Sequence, residues 1–211
     1  MQMRKRIANL TSNILNPFLV SLIIILVLSF ESTSSTLDAL KWSLILIALS
    51  VLPVFSVIIY LVHNERLDGV FIRTREQRSK IYWLAGVCAS AGCIILPYFG
   101  APSILVASFV AGLSSVVIFM CINLWWKISV HTAFITASVT VLVILYGWIA
   151  MVTVLLIPLM FWARIELKRH SLAQVATGAL LGALIVVVVF YLFGLVNSPY
   201  IWWTPLQLCQ T

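Results

Sequence analysis

The chain has 211 residues, of which 63% are hydrophobic and only 9% charged, with a formal net charge of +7. A soluble domain carries about 25% charged residues. With a mean hydropathy of +1.13, there are too few polar side chains to coat a soluble fold, so the composition selects an all-α, polytopic transmembrane helical bundle. The positive charge falls in short stretches between apolar runs, which points to a membrane surface and its lipids and away from nucleic acid.

A membrane-spanning helix needs about 20 mostly apolar residues, and the apolar runs can be taken in order on that measure. Met1-Gln2-Met3-Arg4-Lys5-Arg6 is basic and precedes the first run, from about Leu10 to Phe30. The polar Glu31-Ser32-Thr33-Ser34-Ser35 that follows offers no small-residue cleavage site, so the run reads as an uncleaved membrane helix and not as a signal peptide. A second run extends from about Leu40 to Val62, with Pro53 as the expected kink. The only long charged stretch, His63 to Lys80, separates it from a third run over Ile81 to Phe99. The turn Gly100-Ala101-Pro102 then leads into a fourth run over Ser103 to Trp126.

From Thr132 to Ala163 there are 32 residues without a charge, too many for one upright helix of about 20. The expectation is a helical hairpin turning near Gly147-Trp148. The last run covers about Ser171 to Val196, followed by an aromatic tail (Tyr200, Trp202, Trp203) suited to the far interface. The expected count is therefore six to seven helices in a single integral membrane domain over 1–211. Gly178, Gly182 and Ala183 make a small-residue face for close helix approach, within the bundle or, as the alternative, across a homodimer.

This order of elements puts the basic N-terminus, the 63–80 loop, the Lys127–His131 turn and the Arg164–His170 turn on one side. Twelve of the 13 Lys and Arg residues are there, Lys41 being the exception, and the positive-inside rule makes that side cytoplasmic. The expected location is the plasma membrane. Cys88, Cys93, Cys121 and Cys209 lack zinc-ligand spacing and a disulfide framework, so they read as small apolar residues. No metal or other cofactor is expected.

Three stretches carry candidate chemistry. Arg164 closes one apolar run and His170 opens the next; the guanidinium fork would clamp phosphate oxygens, the N-terminus of the last helix would favour the anion, and the imidazole would attack phosphorus. In Lys127-Ile128-Ser129-Val130-His131, Ser129 would cap the next helix or donate its hydroxyl to phosphate, Lys127 adds positive charge, and His131 is placed to protonate a leaving group. An imidazole pKa near 6.5 suits that step. The loop Arg66 to Arg78 holds more cations than a short membrane turn needs for orientation, as a phosphoryl clamp would. Each stretch taken alone is also compatible with interfacial charge.

In combination and in order, they resemble the type-2 phosphatidic acid phosphatase superfamily of membrane lipid phosphatases. That family is marked by Lys-x6-Arg-Pro, then Pro-Ser-Gly-His, then Ser-Arg-x5-His-x3-Asp. The resemblance spans roughly residues 66–182, within a phosphatase-like core over about 63–196, and its most specific part is the Arg-x5-His spacing ahead of a Gly-rich helix. It implies that His170 is a nucleophile forming a phosphohistidine, that His131 protonates the leaving group, and that Arg164 and Ser129 bind phosphate. In the first motif either Arg66 and Arg73 keep the six-residue spacing, or Arg78, with Arg75 beside it, takes the arginine role. Ile128, Val130 and Ala163 replace the family's Pro, Gly and Ser. Gln174 stands where the family has Asp, able to accept a hydrogen bond from the imidazole but not to supply charge.

The leading expectation is thus a metal-independent hydrolase of a lipid phosphate or diphosphate monoester, phosphatidate or isoprenoid diphosphate in type, acting at the cytoplasmic side. The alternatives are a non-catalytic lipid-phosphate binding or translocating protein of the same fold, and a membrane scaffold whose basic stretches are interfacial charge.

Overall fold

The computed structural model describes residues 2–64 and 75–196. Among them the secondary structure is helical: α1 (Gln2–Ile14), α2 (Pro17–Glu31), α3 (Thr36–Leu49), α4 (Val51–His63), α5 (Arg75–Tyr98), α6 (Ser103–Asn123), α7 (Val130–Tyr146), a 3-10 segment (Gly147–Leu155), α8 (Leu156–Glu166) and α9 (Leu172–Leu192). Five stretches are long and apolar enough to cross a membrane: 36–63, 77–98, 103–123, 130–166 and 172–192. The protein is an all-α membrane protein, as its composition requires. The aromatic tail from Tyr200, Cys209, and Arg66 and Arg73 lie outside the described residues, and so does the side chain of Arg75.

The chain divides into two compact units, residues 1–15 with 129–211 and residues 16–128. In the second unit α2 packs on α3, and α5 pairs with α6 and also meets α3 and α4. The α5–α6 hairpin turns at Gly100, whose φ of 69° lies in the left-handed region that glycine enters without a Cβ clash. Within the hairpin one edge of the Phe109 ring lies against Gly92, occupying the place a Cβ would take. In the first unit α1 packs on α8, and α7 packs on both α8 and α9.

Two boundaries differ from the sequence expectation. The run 10–30 is not one helix: α1 ends at Ile14 and α2 starts at Pro17. Proline lacks the N–H that would continue α1 and disfavours helical backbone in the residue before it. Asn16 is accordingly extended (φ −75°, ψ 153°) and its side chain accepts the Leu19 N–H at 3.0 Å, capping α2. The run 40–62 breaks at Ser50 (φ −119°, ψ −66°) and not at Pro53 itself, because the ring of a helical proline collides with the carbonyl four residues earlier, here Leu49.

The expected turn at Gly147-Trp148 is present in a longer form. Gly147 adopts φ 56° and ψ −131°, ending α7, and nine residues of 3-10 helix follow. Pro158 in the first turn of α8 cannot bond back to Val154, which favours the tighter winding just before it. Nine residues at about 2 Å each would hold α7 and α8 some way apart if the path were straight. Instead the two helices touch, so the chain folds back on itself.

Candidate functional site

Five of the residues singled out by sequence, Ser129, His131, Arg164, His170 and Gln174, belong to the first unit. Glycine positions them. A Cβ on Gly178 would lie 2.6 Å from the Ser129 carbonyl oxygen and 2.8 Å from Thr132 Oγ1, and one on Gly182 would meet the Ala133 carbonyl. The small-residue face therefore serves the bundle, bringing the backbone of α9 against the first turn of α7. Their N-terminal ends are joined directly, because the Ser129 N–H donates to the Gln174 carbonyl at 3.4 Å.

The end of α9 is a complete capping box. Ser171 Oγ accepts the Gln174 N–H at 3.3 Å, and Gln174 Oε1 accepts the Ser171 N–H at 3.2 Å. That same oxygen lies 3.0 Å from His170 Nδ1. The backbone donor settles which way the amide faces, since an NH2 group could not accept from Ser171. With oxygen facing the ring, Nδ1 must carry the proton that makes the bond. In the neutral imidazole Nε2 then holds the lone pair.

The end of α7 is arranged differently. Ser129 occupies the N-cap position but makes no side-chain cap bond. Its hydroxyl is fully buried and has no hydrogen-bond partner among the described residues. The capping role expected for Ser129 is not realised. His131 lies one residue into α7 and is buried at 7% exposure, whereas His170 is partly open. The sequence expectation of an anion held by the backbone donors of the last helix is likewise narrowed, because the capping box takes the Gln174 N–H and leaves those of Leu172 and Ala173.

Arg164 is buried near the end of α8, and its Nη1 donates to Ser12 Oγ of α1 at 2.9 Å. Ser12 was not legible as a partner: it lies 152 residues away, and nothing in its neighbourhood singles it out. After Arg164 the chain turns through Lys168, the only non-glycine residue with positive φ among those described (52°). The Arg169 N–H returns to the Arg164 carbonyl at 3.1 Å, so the Arg-x5-His interval is a closed turn.

Lys127 and Arg78 belong to the second unit. Arg78 is buried in the first turn of α5, where Nη2 donates to the Tyr82 hydroxyl and to the Ile128 carbonyl, each at 2.9 Å; its Nη1 has no hydrogen-bond partner among the described residues. Beside it Asn123, buried at the end of α6, donates to Ser79 Oγ at 3.1 Å. Lys127 is half-buried. No group of three or more His, Cys, Asp or Glu side chains suited to a metal occurs among the described residues.

No family model matches the chain, and no curated protein or solved structure matches it either.

Proposed function

We propose that this protein binds the phosphate of a lipid monoester or diphosphate where α7 and α9 begin, and hydrolyses it through His170. The observation that carries the reading is the 3.0 Å contact between His170 Nδ1 and Gln174 Oε1, which puts the lone pair of the neutral ring on Nε2, as a nucleophile requires. Nε2 attacks phosphorus, the bond to the leaving oxygen breaks, and His131 gives that oxygen its proton. Water then attacks the phosphohistidine, giving its proton back to His131 as the P–N bond breaks, which returns the imidazole and releases phosphate. Arg164 and the Ser129 hydroxyl hold the non-bridging oxygens, supplying charge and donors where negative charge collects. The site faces the cytoplasm, where it would meet lipid phosphates made by cytoplasmic enzymes.

Gln174 favours a second reading as well. Its oxygen orients the ring but brings no negative charge to the imidazolium-like state, so affinity for lipid phosphate without turnover is the natural fallback. The test is phosphate release from phosphatidate and from isoprenoid diphosphates by purified protein and by His170→Ala. Release lost in the variant supports hydrolysis. Absence of release, with lipid-phosphate binding that depends on Arg164, selects the binding protein; absence of both overturns the proposal.

A further inference from the structure

Helix α1 presents three distinct faces. Ala8 and Ser12 are buried, and this face meets α8. Met3, Ile7, Leu10 and Ile14 recur at helical spacing on a second face and are 74, 50, 60 and 56% exposed. Lys5, Arg6, Asn9 and Asn13 form a third, also exposed. The polar row runs from the first turn to the last, so α1 by itself is poorly suited to the hydrocarbon core, where each polar side chain would be costly. With 13 residues, α1 is about 20 Å long against a core of about 30 Å, and the break at Asn16-Pro17 separates it from α2.

An apolar stripe beside a basic and amide row, both exposed, is the pattern of a helix lying in the membrane interface. We propose that α1 docks in the plane of the leaflet, its stripe inserted among the acyl chains and its cations on anionic lipid headgroups. Lys5 and Arg6 are exposed, and Arg4, also exposed, lies 3.7 Å from Glu166. Charge complementarity selects the occupant: three consecutive cations favour anionic phospholipid over zwitterionic lipid.

The test places single spin labels at positions 7, 9, 10 and 13 of the full chain, with Cys88, Cys93, Cys121 and Cys209 replaced by Ser, in nanodiscs of phosphatidylcholine with or without phosphatidylglycerol. Labels at 7 and 10 should be reached by oxygen at shallow depth, and labels at 9 and 13 by a water-soluble relaxant. All four labels deep in the core, or all four open to water, would overturn the proposal. The unlabelled protein gives an independent readout: hydrogen exchange across α1 should slow several-fold when phosphatidylglycerol is present, and Arg4→Gln/Lys5→Gln/Arg6→Gln should abolish that difference. Exchange equal in the two nanodiscs would remove the anionic-lipid part and overturn the assignment of the occupant.

Discussion

The side-chain oxygen of Gln174 accepts from two neighbours at once, the Ser171 N–H at 3.2 Å and the His170 ring at 3.0 Å. One residue thereby closes the cap of α9 and sets the tautomer of the candidate nucleophile. Replacing it by Asp keeps an acceptor four residues after His170 and adds the missing charge. In the serine-protease triad the loss of the carboxylate costs about 10⁴ in turnover, mainly through the wrong tautomer. Gln174 already holds the tautomer, so Gln174→Asp should raise kcat for phosphate release by a smaller factor, about 10 to 100. Gln174→Leu should abolish release and cost α9 about 1 kcal/mol of cap stability. Unchanged kcat in both variants would remove Gln174 from the site.

Ser12→Ala removes a hydroxyl that accepts from a buried guanidinium. Leaving a buried polar group without its partner costs about 1 to 3 kcal/mol, to be read as a lowered Tm in detergent. If Arg164 holds phosphate, the same variant should also weaken lipid-phosphate binding. Arg164→Lys should weaken it further, because an ammonium cannot reproduce the planar fork.

Gly178→Ala and Gly182→Ala should separate α7 from α9. The new methyl on Gly182 would meet the Ala133 backbone, which cannot swing aside as a side chain can. Overpacking of this kind costs about 1 to 3 kcal/mol, with Gly182→Ala the more severe. Gly112→Ala is the control: no atom lies within 4 Å of the new Cβ, so it should be neutral or gain up to about 1 kcal/mol from helix propensity. Unfolding curves of the three variants side by side would decide it.

Arg78→Leu leaves the Tyr82 hydroxyl and the Ile128 carbonyl without a shared donor, and should cost more than Tyr82→Phe, which removes only one of the two bonds. The expected loss is about 2 to 4 kcal/mol against about 1, measured as the difference in unfolding free energy between the two variants.

Much of the architecture could be read from residue order, because apolar length and glycine or proline punctuation act locally. Gly100 and Pro102 bound a hairpin, and Gly147 ends α7, where the chain itself says so. Pro17 shows the limit. Its effect on the preceding residue is local too, yet a hydropathy average over 10–30 hides it beneath the apolar residues on both sides. The candidate site divides in the same way. His170 and Gln174 are one helical turn apart, and their spacing is enough to bring them together. Ser12 with Arg164, and Arg78 with Ile128, are separated by 152 and 50 residues, and no local pattern announces such pairs.

The sequence by itself determined that this is an all-α membrane protein, since a chain this apolar must bond its backbone internally and helices do so within themselves. It also determined which residues have ionisable or donor groups to offer a phosphate. Tertiary structure alone decided that Ser129 is buried without capping α7, that Gly178 and Gly182 draw the starts of α7 and α9 together, and that α1 leaves α2 to pack on α8. Those outcomes depend on how closely two backbones approach and which buried donors find acceptors, quantities that exist only once distant segments have met.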